Sequence, residues 1–142
     1  VVSWQGQIRP MSKTDHLSGF QDVFPTVIEA CGVDQSYDTD GISFLKVLLG
    51  KEQSNRHEYL YWEIPEYGGQ QAVRIDHYKA IRKDMFKGNL EIEIYDLSKD
   101  PQEREDVAHV FPLIVEAAEK IMLEEHVISS LEGFRFPIMD NE

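Results

Sequence analysis

Apolar residues recur with helical spacing through the first part of the chain: Leu17, Phe20, Phe24, Val27, Ile28 and Cys31 fall on one stripe. Pro25 interrupts it. Two readings stay open: a kinked helix from about Asp15, or a turn followed by a helix from Asp22. In the second, Asp22 is the N-cap and Pro25 sits in the first turn, where its missing N–H costs little. Gly32 stops the helix in both. Val1 to Trp4 reads as the end of a buried strand, followed by polar loop to Lys13. "DTDGISFLKVLLG" predicts a turn, a short helix with Ser43 near its start, and a stop at Gly50.

Beyond Gly50 the pattern changes. "HEYLYWEI" is rich in aromatic and β-branched residues, with Leu60, Trp62 and Ile64 on one face. "QQAVRI" and "YKAIRK" predict two further strands joined by a hairpin turn at Asp76-His77. "LEIEIYDL" alternates strictly: Leu90, Ile92 and Ile94 oppose Glu91, Glu93 and Tyr95, as in an antiparallel strand with one wet face. The last long element runs from about Phe111 to Glu125. Ile114, Ala117, Ala118 and Ile121 make its stripe, and Glu116 with Lys120 forms an i,i+4 pair. Glu125 falls inside the stripe, so the helix ends or leaves the core there. "FRFPIMD" reads as an extended arm. About four antiparallel strands packed by a long C-terminal helix, after a helical segment, make an α+β fold.

Charge narrows the function. The 142 residues carry a net charge of −12, which repels phosphate backbones and argues against nucleic acid as a partner. No apolar run approaches the roughly 20 residues that cross a membrane as a helix. The length suits one domain or a fragment of a larger one. Cys31 stands alone, which allows no internal disulfide and no CxxC site; its apolar setting predicts a buried, inert thiol. His16, His57, His77, His109 and His126 show no HxH or HxxxH pairing, so each reads as structural or solvated.

The acidic stretch "IYDLSKDPQEREDVA", Ile94 to Ala108, invites a ligand reading. Asp96, Ser98 and Asp100 fit positions one, three and five of a calcium loop. Positions six and twelve are then Pro101 and Val107, where Gly and Glu are needed, so that loop is excluded. Spacing alone leaves a paired-carboxylate acid open, with no partner motif in support. A structural reading accounts for more: Asp100 as N-cap, Pro101 at N1 and Glu103 at N3 of a helix start.

The same stretch resembles the "LYDL..DP.E..NLA" motif near the C-terminus of type I, formylglycine-dependent sulfatases. "SWQGQIRPMSKTDHLSGFQDVFPTVIEACGV" resembles their "WPG.I..G..SD.....D..PT..ELAG". "DGISFLKVLLG" is similar to "DG.SL.P.L.G", and "YLYWEIPEYGGQQAVRIDHYKAIR" to "YWE....GG.QAVR...YK.IR". The four matches come in the family's order over about residues 3 to 120.

The resemblance implies a C-terminal region. Residues 1–50 would be the tail end of the large α/β catalytic domain, and 51–142 the small C-terminal subdomain. It implies hydrolysis of sulfate esters, of sulfated carbohydrates above all, using calcium and formylglycine held upstream. Cys31 is followed by Gly-Val-Asp-Gln, not by the family's Cys-x-Pro/Ala-x-Arg continuation, so this chain alone is expected to be inactive, with no catalytic or metal residues of its own. Its partners would be the missing catalytic domain and, in the intact enzyme, the sulfated carbohydrate. The face of Val1 to Trp4 and Leu17, Phe20 and Phe24 would be left exposed and open to self-association. The loop "EIPEYGGQQAVR" is the candidate wall of the substrate cleft, with Glu66, Tyr67, Gln71 and Arg74 as binding residues beside Glu63. Many bacterial relatives carry His where Pro65 stands; if that His contacts substrate, its absence puts a shared specificity in doubt. The family implies a periplasmic or secreted location. Two alternatives remain: a free-standing acidic interaction module, and the tail of a related phosphohydrolase of the alkaline-phosphatase superfamily.

Overall fold

The computed structural model describes residues 1–33 and 37–140. They form two compact units, Val1–Glu58 and Tyr59–Glu142. The boundary lies at Glu58/Tyr59 and not after Gly50, because residues 51–58 are tied back into the first unit. Gln53 Nε2 donates to the Ser43 carbonyl at 2.9 Å, and the His57 ring lies 2.7 Å from Asp22 Oδ1.

In the first unit a 3₁₀ turn, Phe20–Asp22, leads into α1, Val23–Ala30, and a second short helix, α2, spans Leu45–Leu48. Of the two starts left open by the sequence, the turn followed by a helix is the one formed. The Asp22 carboxylate, however, makes no cap bond to α1. It is 1% exposed and accepts from the backbone N–H of Gly19 at 2.7 Å and of Ile42 at 2.8 Å, besides facing His57. One turn later, Thr26 Oγ1 accepts from the Phe44 N–H at 3.0 Å. Two buried polar side chains thus fasten segment 42–44 along α1. Gly41 belongs to that seam: a Cβ there would lie 2.1 Å from the Gln21 carbonyl oxygen. Both helices end in paired backbone bonds: Gly32 to Glu29 with Val33 to Ile28, and Gly50 to Val47 with Lys51 to Lys46.

Two expectations for this unit are corrected: Val1–Trp4 forms no strand, and Cys31 is exposed instead of buried. Val1–Trp4 and the Phe20 and Phe24 stripe are exposed, as the family resemblance implied, and Val27 with them. Periodicity identifies a one-sided face; what covers that face is not encoded in spacing.

The second unit is a meander: β1 Leu60–Ile64, β2 Gln70–Ile75, β3 Tyr78–Arg82 and β4 Ile92–Asp96, in the order β1-β2-β3-β4, all antiparallel. The two-residue link at Asp76-His77 is as predicted. α3, Pro112–Glu124, lies across β2, β3 and β4. Its start suits Pro112 at the first position, where no N–H is needed. Val73, Ala80 and Ile94 form one cross-strand row, and Ala118 and Met122 of α3 close over it. Enclosing side chains such as Val73, Ile94 and Met122 stabilises by about 1.5–3 kcal/mol each.

Register decides which face of β1 meets the helix. Tyr61 and Glu63 share the helix-facing rows with Val73 and Gln71. Leu60, Trp62 and Ile64 do share a face, but it is the one turned away from α3; Leu60 is buried there, while Trp62 and Ile64 are exposed. On α3 the stripe shifts by one position. Met122 is fully buried and Ala117 is exposed. Lys120 reaches Glu124, at 3.7 Å, instead of Glu116.

No helix begins at Asp100. Its carboxylate accepts from the N–H groups of Arg104 and Glu105, at 2.6 and 2.9 Å, and so closes a turn. Glu103 has φ +54°, a conformation no α-helix holds, and its carboxylate pairs with Lys79 at 2.7 Å instead of reaching back to a cap. Pro101 sits in this turn. Asp106 Oδ1 accepts from the Ile94 N–H at 2.9 Å, and the Val107 N–H donates to the Ile94 carbonyl at 2.9 Å, so this segment pairs with the outer edge of β4.

Asp96 ends β4 and accepts from Ser98 and Lys99, which together hold its carboxyl down to about 2. A depressed value stabilises the fold at pH above the ordinary 3.8 and loses that contribution as pH falls through about 2. Asp96→Asn is therefore expected to flatten the fall in urea midpoint of the second unit across that window; an unchanged acid limb would show that Asp96 contributes nothing to it.

Candidate functional site

The β1–β2 loop, residues 65–69, is built rigidly. The Met85 N–H donates to the Gly69 carbonyl at 3.1 Å and the Phe86 N–H to the Gly68 carbonyl at 3.0 Å, which fastens the loop to the 3₁₀ turn Met85–Lys87. Tyr67, Gly68 and Gly69 have φ of 56°, 87° and 79°. Gly69 is required twice over, by that φ and by the Phe136 ring, which a Cβ would meet at 2.8 Å. Phe136 and Met85 are fully buried beneath it. Tyr67 is 86% exposed on top, in a backbone region that a bulky residue rarely occupies. Glu66 is exposed beside it.

The four residues expected to bind substrate do not converge. Gln71 is fully buried on the α3 side of the sheet, where Nε2 donates to Tyr61 Oη and to Glu63 Oε2, each at 3.0 Å, and Oε1 accepts from Arg82 Nη1 at 3.2 Å. Arg74 lies on the opposite face, at the hairpin end of β2, about 13 Å along the strand from Gln70. Its Nε donates to the Asp76 carbonyl at 2.6 Å. Only Glu66 and Tyr67 share the loop surface.

Behind the loop is a polar cluster that sequence reasoning missed. Arg82, 1% exposed, donates from Nε to the Leu90 carbonyl at 3.1 Å and lies 3.6 Å from Glu119. Burial pulls its guanidinium below its ordinary value, against the pull of Glu119. Burial also raises the Tyr61 phenol, helped by its hydrogen bond to Glu63. His126, just past α3, stands between two carboxylates: Nδ1 is 2.7 Å from Glu63 Oε2 and Nε2 is 2.6 Å from Asp140 Oδ1. Burial lowers its basicity, but the bonds and charges of Glu63 and Asp140 outweigh that and leave it raised. The three side chains are 63 and 14 residues apart in sequence, so no local pattern announces them.

The architecture and its motif positions can now be set against known proteins. The family described as N-sulphoglucosamine sulphohydrolase, C-terminal, matches residues 1–125. The chain belongs to this family. Arylsulfatase G of Rattus norvegicus is 35% identical over 86 residues, covering 56% of this chain and 16% of that protein. A Delta 4,5-hexuronate-2-O-sulfatase of Bacteroides thetaiotaomicron is 26% identical over 122 residues, 80% of this chain and 24% of its own length. The crystal structure of a candidate sulfatase of Bacteroides thetaiotaomicron superposes with TM-score 0.59 and 28% identity, over 73% of this chain and 23% of that one. The chain thus spans less than a quarter of each of these relatives.

For this sulfatase C-terminal region the motif residues acquire physical roles. "D..PT" is the buried Asp22 and Thr26 pair, "DG" is the Gly41 seam, and "GG" is the loop over Phe136. Cys31 is exposed at the end of α1, and no group of three or more His, Cys, Asp or Glu among the described residues could hold a metal. Among the described residues no helix is long and apolar enough to cross a membrane.

Proposed function

We propose that this chain is the C-terminal part of a sulfatase that hydrolyses sulfate esters of carbohydrates, and that its β1–β2 loop forms one wall of the substrate cleft. The carrying observation is Tyr67, almost fully exposed on a loop held by two backbone bonds and a buried phenylalanine. An aromatic ring presented rigidly loses little entropy on stacking against a sugar face, and Glu66 beside it can accept from sugar hydroxyls. Strained backbone at an exposed aromatic residue is common where a ligand is gripped. Gln71 supports the wall from within the sheet. Calcium and formylglycine belong to the catalytic portion, which also carries the reaction; this chain contributes packing and recognition. The exposed Phe20, Phe24 and Val27 face of the first unit is the surface offered to that portion, and in its absence to self-association. A periplasmic or extracellular location follows from the same reading.

In the intact enzyme, Tyr67→Ala is expected to raise KM for a sulfated oligosaccharide about 5- to 10-fold with kcat nearly unchanged, as for loss of a stacking contact worth about 1 kcal/mol. An unchanged KM would remove the loop from the cleft. Turnover of phosphonate monoesters in preference to sulfate esters would instead assign the parent to the phosphohydrolases.

A further inference from the structure

The residues that follow α3 do more than end the chain. The Phe136 N–H donates to Asp140 Oδ2 at 2.6 Å, and the Met139 and Asp140 N–H groups donate to the Phe136 carbonyl at 2.9 and 2.8 Å. This closed turn drives the Phe136 ring under Gly69, 5.6 Å from the Phe86 ring and 5.9 Å from the His126 ring, measured between centroids. The other oxygen of Asp140 meets His126. We infer that residues 129–140 are a latch on the β1–β2 loop, closed while His126 carries protons on both ring nitrogens and opened when one proton leaves.

Ionised Glu63 and Asp140 only accept. Both ring nitrogens can satisfy them only as N–H donors, which requires imidazolium; a neutral ring turns one lone pair toward a carboxylate. Glu63 then keeps Tyr61 Oη and Gln71 Nε2 as donors. Asp140 keeps only the Phe136 N–H of its own turn among the bonds described. Glu63 is fixed within β1 while Asp140 sits on the arm beyond α3, so Asp140 is the carboxylate able to withdraw from the ring's lone pair.

The groups around the ring come from each neighbouring element: Glu63 and Tyr61 from β1, uncharged Gln71 from β2, and Asp140 from the arm. Glu125 precedes the ring and accepts from Tyr59 Oη. The carbonyl end of α3 also favours a cation there. Because the folded value of His126 is raised, the latch contributes fully below the ordinary value of about 6.5 and is lost as pH rises through the folded value. In an acidic compartment the loop is held; in an alkaline one its floor loosens.

The functional weight of the latch rests on the loop being a recognition surface, but its test needs no substrate, so the two readings fail separately. In the 142-residue chain, a nuclear magnetic resonance titration follows the His126 ring nitrogens and the amides of Gly69, Phe136 and Met139. The expected result is two protonated nitrogens below the midpoint. The three amides then shift with the same midpoint as the ring, and Phe136 exchanges about tenfold faster, relative to its intrinsic rate, above it. Asp140→Asn should lower that midpoint, and His126→Gln should abolish the transition while Ala80 and Ile94 amides stay protected. If His126→Gln unfolds the sheet, Asp140→Asn and the native titration decide. Amides of Gly69 and Phe136 that stay fixed while His126 titrates, or a ring with one protonated nitrogen below its midpoint, would overturn the latch.

Discussion

Asp22→Ala is expected to release segment 42–44 from α1 and to destabilise the first unit by about 2–3 kcal/mol, because it leaves two part-buried N–H groups and His57 without their shared partner. The side chain is 1% exposed, so no water stands ready to replace it. Few apolar side chains of this unit are buried, Leu45 foremost, so three bonds to one carboxylate are a large share of what orders it. Hydrogen exchange should show the Ile42 and Phe44 amides approaching the rate of unstructured chain, with Val73 and Ala80 in the second unit unaffected. Asp22→Asn keeps one acceptor and should recover part of the protection. Unchanged exchange at Ile42 in Asp22→Ala would mean that the seam is held by something other than this residue.

Phe136→Ala is expected to cost the second unit about 3–5 kcal/mol, the range for truncating a fully enclosed aromatic ring. The ring fills the space between Gly69, Phe86 and His126, and a loop held by its backbone cannot collapse to refill it. The urea midpoint of the unit should fall accordingly. Phe136→Leu should recover roughly half of the loss, since most of the enclosed volume is restored. A loss below about 1 kcal/mol for the alanine variant would show that the arm is frayed in solution.

What was legible in the sequence followed from short-range rules. The β2–β3 hairpin and the start of the last helix near Phe111 each rest on neighbours within a few residues, whereas Tyr95, expected on the wet face of its strand, is buried and Leu90 is exposed. The motif resemblance carried the fold and the family, because it compresses long-range information that one chain cannot show. Cys31 was read as buried and is exposed, and which face of β1 meets the helix could not be read at all, because the deciding partners are distant. Leu60, Trp62 and Ile64 are apolar, yet the helix-facing rows of β1 went to Tyr61 and Glu63, since Gln71 and His126 wait there to bond them. Asp100 and Glu103 have the spacing of a helix start, but Lys79 holds Glu103 away from one. Glu66 and Tyr67 share the surface of the loop that the motif resemblance singled out, while the Glu63, His126 and Asp140 cluster gives no local signal.

The placement of Asp106 reaches beyond a single turn. An antiparallel sheet left with bare backbone groups at its rim is a template on which another molecule can polymerise. At the β4 rim, the Ile94 N–H and carbonyl that such a recruit would need are already committed to Asp106 and Val107. A single carboxylate in the acidic stretch thus works as a chain terminator for the sheet itself, and fibre growth from that side has to displace it first.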